Sequence, residues 1–240
     1  MDVIELLPRL HLLRFPVGQA YLWHDPDAGT STLIDAGPLG AGRTIADALT
    51  ALGRSPSSVR RIVLTHFHED HVGGAAELAA LSGSEVLAHR LDAPVIRGEL
   101  AGPPPVFEEW ELPVYAEATR HLPVGEPVRP DEVTELSDGD VLDFGGGARV
   151  VHVPGHTDGS IALHLPAYGV LFTGDAVAVS PVTRSVILGV FNLDRARAVA
   201  SFRRMAALQT DVACFGHGDP VSSNASQVLR KSADTYGPPR

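Results

Sequence analysis

Thr65-His66-Phe67-His68-Glu69-Asp70-His71-Val72-Gly73-Gly74 follows directly on the apolar run Arg61-Ile62-Val63-Leu64. The run suits a buried strand, and a helix is expected from about Gly74 to Leu81. His66 and His68 are two apart, so in extended backbone both imidazoles leave on the same side. Asp70 and His71 fall where the chain must turn. Gly73 and Gly74 are expected to let the next helix begin close to whatever is bound. Imidazoles and a carboxylate crowded at a strand end have the character of a metal site. The alternative is chance clustering on a polar loop. Burying these rings for packing alone would leave ring nitrogens needing partners.

Three further segments share this design. Val153-Pro154-Gly155-His156-Thr157-Asp158-Gly159-Ser160 puts an imidazole in a tight loop between two expected strands. Val170-Leu171-Phe172-Thr173-Gly174-Asp175 is an apolar strand ending in a carboxylate, and Cys214-Phe215-Gly216-His217-Gly218-Asp219-Pro220 ends another strand in an imidazole. Alone, each reads as a cap or turn. Together they point side chains from several strand ends toward a common cleft.

Around these motifs the sequence opens on a β-meander: Leu10 to Phe15, Gln19 to His24 and Ser31 to Asp35, with Asp25-Pro26-Asp27-Ala28-Gly29 as a turn. A helix from Ala41 to Leu52 ends at Gly53, and a strand is expected at Glu85 to Ala88. Strand signals resume at Glu132–Leu136, Val141–Phe144, Arg149–Val153, Ser160–Leu165 and Gly169–Thr173. A helix from Asp194 to Leu208 has Asp194 as its N-cap. A strand at Val212–Phe215 and a helix from about Ser222 follow. This succession in two similar halves predicts one α/β domain over residues 1–240, two sheets packed face to face with helices outside. Residues 94–130, rich in proline and carrying Phe107, Trp110 and Tyr115, read as a lid over a site or as a connector pinned by its aromatics.

Composition narrows the function. With 19 basic and 29 acidic side chains the formal net charge is −10, and no basic stripe is present, so a nucleic-acid partner is not expected. Cys214 is the single cysteine, so no internal disulfide can form. It is expected to be a buried small hydrophobe. No signal peptide or membrane-spanning run is read, and a cytoplasmic location is expected.

The series His-x-His-x-Asp-His, Gly-His, Gly-Asp, Gly-His resembles the metallo-β-lactamase superfamily in its glyoxalase II-like branch, over nearly the whole chain to Pro220. The resemblance implies a four-layer αβ/βα sandwich of two mixed β-sheets with outer helices. It implies a dinuclear site: His66, His68 and His156 on one metal, Asp70, His71 and His217 on the second, and Asp175 bridging both. Two divalent ions are expected, zinc first, with manganese or iron also suited to such donors. A hydroxide shared between them would attack the substrate carbonyl. Asp70 is the candidate for orienting it and passing a proton onward. Asp35 matches a position that orients ligand imidazoles, with a simple strand-end turn as the alternative. Thr157, Asp158 and Ser160 are expected to shape their loop, and Asp219 to support His217 or to begin the turn into Pro220. Of the remaining histidines, His121 is the best candidate to line a pocket.

The implied activity is hydrolysis of an ester, thioester or lactone of a small organic substrate. Residues 94–130 and the loop Val177 to Gly189 would wall the pocket, with Phe107, Trp110 and Tyr115 as its apolar side. Ala178 stands where lactone hydrolases of this type carry a tyrosine. Ala176-Val-Ala-Val-Ser-Pro-Val-Thr-Arg184 lacks the Gly-Arg segment of enzymes acting on glutathione conjugates. A mononuclear iron oxidoreductase resembling persulfide dioxygenases, and a non-catalytic metal-binding or sensing protein, stay open, as does a homodimer.

Overall fold

The structure is a computed structural model and describes residues 1–236. The chain divides into two compact units, Met1–Gly102 with Val114–Leu136, and Pro103–Pro113 with Ser137–Arg240.

The first unit is built on a 7-stranded sheet whose spatial order follows the sequence. Its strands are β1 (Asp2–Leu7), β2 (Leu10–Arg14), β3 (Gln19–Asp25), β4 (Thr30–Ile34), β5 (Val59–Val63), β6 (Glu85–His89) and β7 (Thr134–Leu136). The pairs from β1 to β4 are antiparallel; those from β4 to β7 are parallel. Parallel neighbours need crossovers. These contain α1 (Ala41–Ala51), then α2 (Glu69–Val72) and α3 (Ala75–Ser82), then α4 (Ala93–Ile96) and α5 (Leu112–Arg120). In α1 the buried residues Ala41, Ile45, Ala46 and Leu49 recur at helical spacing. They pack with Leu78 of α3 on Leu22, Leu33, Ile62 and Val86 of the sheet. α1 stops where expected: Gly53 N–H donates to Thr50 O and Arg54 N–H to Leu49 O, a Schellman closure at a residue with φ 72°.

The second unit carries β8 (Val141–Leu142), β9 (Ala148–His152), β10 (Ile161–Leu165), β11 (Val170–Phe172), β12 (Val177–Val179), β13 (Val186–Leu188), α6 (Arg195–Ala206), β14 (Val212–Cys214) and α7 (Ala225–Ala233). Its 5-stranded sheet runs β14-β11-β10-β9-β8, with β14 parallel to β11 and the other pairs antiparallel. Asp194 caps α6 as expected, its Oδ1 accepting from Arg197 N at 3.0 Å. Ala198, Phe202 and Met205 of α6 pack with Leu229 of α7 on Val151, Val153, Leu171 and Phe215.

The two large mixed sheets, each with its own helices, are those of the expected fold class. Three details differ from expectation. β1 precedes the meander as an exposed edge strand with no buried face to betray it. The segment expected to be loop from Val177 to Gly189 contains the antiparallel ribbon β12-β13. Residues 94–130 include most of α4 and all of α5. Among the described residues no helix is long and apolar enough to cross a membrane.

Candidate metal centre

In the first unit the donors gather where β4 and β5 end. Asp35, directly after β4, is 2% exposed. Its Oδ1 accepts from Thr65 N at 2.7 Å, and its Oδ2 accepts from Thr65 Oγ1 at 2.9 Å and from His71 Nδ1 at 2.8 Å. A carboxylate at this depth needs such donors. The bonds also set two tautomers. An ionised carboxylate only accepts, so His71 carries its proton on Nδ1 and presents a lone pair at Nε2. Thr65 spends its hydroxyl proton on Asp35, so in the 3.0 Å contact between Thr65 Oγ1 and His66 Nδ1 the imidazole is the donor. His66 therefore also presents Nε2. One carboxylate orients two rings, directly and through a threonine.

His66 stands edge-on to His68, ring centroids 4.7 Å apart, and 4.2 Å from His71. Donor atoms of His66 and His68 lie within 4.8 Å of each other, as do those of Asp70 and His71. His71 Nε2 is 3.5 Å from Asp70 Oδ2. Asp70 and His71 ride on the short helix α2, tied down where Ala36 N–H donates to His71 O at 2.7 Å. The two glycines beyond α2 also allow a close backbone approach. A Cβ on Gly73 would lie 2.2 Å from Leu39 N, and one on Gly74 2.4 Å from Ala36 O. They let α2 and α3 press on the 36–39 turn, and so fix the loop that carries Asp70 and His71 from behind.

In the second unit His156 follows β9, Asp175 follows β11 and His217 follows β14. His156 Nδ1 contacts Val190 O at 3.0 Å. A carbonyl only accepts, so this ring too is protonated on Nδ1 and presents Nε2. Asp175 Oδ2 lies 3.7 Å from His156 Nε2 and 3.1 Å from His217 Nε2. For His156 and His71 alike, a nitrogen lone pair therefore faces a carboxylate oxygen. For the neutral rings two electron-rich atoms at this range repel unless a proton or a metal cation is shared between them, and buried imidazole and carboxylate donors suit a divalent ion.

The neighbouring polar residues have structural partners. Thr157 N–H donates to Ser160 Oγ at 3.0 Å, and Asp158 Oδ1 pairs with Arg197 at 2.5 Å, which is the loop-shaping expected of them. Asp219 pairs with Arg184 at 3.6 Å. His121 lies just past the end of α5 and pairs with Glu117 of that helix at 3.2 Å. Cys214 is fully buried, and burial pushes its thiol well above the usual range. Phe107 packs against Phe191, ring centroids 5.8 Å apart, whereas the Trp110 indole is half exposed and donates to Glu108 Oε2 at 2.7 Å. Thr65 and Val190 had no expected role. Thr65 stands inside the quoted motif, but Val190 acts through its carbonyl, which no side-chain pattern signals.

Residues 15–217 match the model of the metallo-beta-lactamase superfamily. A hydroxyacylglutathione hydrolase of Cereibacter sphaeroides is 31% identical over 214 residues, covering 86% of this chain and 64% of that protein. One of Ruegeria pomeroyi is 32% identical over 222 residues, covering 90% and 68%. The chain thus spans roughly two thirds of the length of these relatives, and less than that of the first. The crystal structure of a metallo-beta-lactamase family protein from Thermus thermophilus superposes with a TM-score of 0.68 at 28% identity, covering 97% of this chain and 79% of that one.

Proposed function

Because this chain belongs to the metallo-beta-lactamase superfamily, we propose that it is a metal-dependent hydrolase that cleaves an ester-type carbonyl, a thioester first, of a small organic molecule. The observation that carries the reading is the imidazole polarity just described. Rings on both units are protonated at Nδ1 and turn Nε2 toward a carboxylate. In this reading His66, His68 and His156 hold one ion, Asp70, His71 and His217 a second, and Asp175 touches both. In support, the donor atoms of His66 and His68 stand together within the first unit, as do those of Asp70 and His71, and within the second Asp175 stands beside His156 and His217. Zinc is the ion the donor set favours, with manganese and iron as competitors. Relatives named hydroxyacylglutathione hydrolases support the choice of a thioester.

Bound divalent ions supply Lewis acidity and bring the pKa of water to roughly 7. The chain's own residues do the rest. Asp35 and Thr65 hold His66 and His71 in the ligating tautomer. Asp70 takes the proton of the attacking water on a carboxylate oxygen and returns it to the leaving thiolate or alkoxide. A nucleophilic serine or cysteine is not needed, and Cys214, buried and protonated, is unsuited to that role.

The test is to load the purified protein with zinc, count the metal, and assay a panel of S-acyl thioesters, lactones and activated esters beside His68→Ala. The expected result is turnover of at least one class by the native chain, with metal and activity both falling in the variant. A fully loaded chain that turns over nothing would overturn the proposal. So would one iron per chain with oxygen consumption.

A further inference from the structure

Three ligand rings raise the same question: what stands behind Nδ1? His71 has the Asp35 carboxylate directly, and His66 has it through the Thr65 hydroxyl. Behind His156 Nδ1 stands a carbonyl, that of Val190. That carbonyl shares a peptide group with Phe191 N–H, which donates to Glu111 Oε1 at 3.2 Å. Glu111 is 2% exposed, and its Oε2 accepts from Glu108 N at 2.9 Å. Glu108, Glu111, His156, Val190 and Phe191 all belong to the second unit.

We propose that Glu111 is the carboxylate behind His156, acting as a positioning residue through the Val190–Phe191 peptide. The inference rests on the reading of His156 as a metal ligand. Hydrogen bonds in series polarise one another. A carboxylate drawing on the peptide N–H adds negative charge to the C=O, which then pulls harder on the Nδ1 proton and makes Nε2 a stronger donor to a metal. Partners of this kind behind ligand imidazoles set metal affinity. The placement of the peptide also needs holding. Phe191 sits at φ 59°, a conformation bulky residues seldom adopt. The segment around Glu111 is fastened independently by the Phe107–Phe191 ring contact and by Arg195 Nε, 3.1 Å from Glu108 Oε1. The proline-rich tract thus does more than cover or connect: one of its side chains tunes a ligand.

The test compares Glu111→Gln with Glu108→Gln. The first keeps the shape of the side chain, removes the charge and cannot accept both peptide N–H groups. The second weakens the clamp to Arg195, keeps a side-chain oxygen for the Glu111 N–H that it caps, and leaves Phe191 N–H on Glu111 Oε1. Zinc affinity is read by chelator competition, and the site of a cobalt-substituted protein by its visible spectrum. Glu111→Gln should bind zinc about tenfold more weakly and shift the cobalt bands, while Glu108→Gln matches the native protein in both. Should Glu111→Gln fail to fold, Glu111→Asp, charged but too short to reach Phe191, should give the same loss. Native affinity and spectrum in the Glu111 variant would overturn the relay, as would equal losses in both glutamine variants, which would mark a plain structural clamp. Failure of the underlying reading looks different: the native chain would bind no zinc, or His156→Ala would bind it unchanged.

Discussion

Exchanging one oxygen of Asp35 for an amide should disarm two ligand rings without unfolding the protein. In Asp35→Asn the remaining oxygen stays opposite Thr65 N, the donor fixed in the backbone. The amide nitrogen then replaces Oδ2, the atom that accepts from both Thr65 Oγ1 and His71 Nδ1. An NH2 group there can only donate. The Thr65 hydroxyl must turn to accept, and its own proton swings toward His66 Nδ1. His71 must receive at Nδ1 as well, so both rings move their proton to Nε2, the nitrogen the metal needs. Rearranging a buried network in this way costs about 1–3 kcal/mol of folding stability. Loss of such an orienting partner weakens metal binding by roughly 10–100-fold, or about 1.4–2.7 kcal/mol. Asparagine is the right probe because Asp35 has φ 58°, which asparagine tolerates as aspartate does, whereas alanine would add backbone strain. The assay is zinc affinity by chelator competition beside thermal melting of the metal-free protein. A variant that melts lower yet binds zinc as the native chain does would refute the tautomer argument.

Gly189 is wedged against the backbone of Asp175. A Cβ there would lie 1.7 Å from Asp175 O, so Gly189→Ala must displace the Asp175 backbone and should lower both metal content and melting temperature. Native metal content in that variant would show the contact to be soft. The lowered pKa of His11, caused first by burial and then by Arg54, makes stability pH-dependent. The unfolded chain binds the proton more readily, so stability should be full above the usual histidine value of about 6.5 and fall as pH drops below it. His11→Leu should flatten that part of the curve, and an unchanged slope would exclude His11 as its source. Cys214 should resist thiol reagents in the native protein and react once denaturant is added, as a colorimetric thiol titration would record.

How much of this could be read in advance follows from what a sequence encodes as side-chain pattern. Helix α1 was legible because Ile45 and Leu49 recur at its period and Gly53 ends it. Asp194 announced α6 by capping chemistry. The candidate donors stood out because imidazoles and carboxylates gathered at several strand ends are what a metal site requires. Strand β1 was not, since an exposed edge strand has no buried alternation. The β12-β13 ribbon was hidden by Ser180-Pro181, which reads as loop. The groups behind the ligand rings were the least visible. Asp35 was picked out, yet Thr65 looked like an ordinary strand-end residue, Val190 contributes a backbone atom, and Glu111 sits among other acids in a proline-rich tract that gives no hint of its burial.

Helix α5 hides none of its side chains from solvent. Its hydrogen bonds then gain little from packing, and its opening costs far less than unfolding the chain. A protease cutting after Arg120 should find it before any site in the sheets, and a graft or insertion there should be borne with little penalty. Among homologous chains, length and sequence should be free to drift at α5.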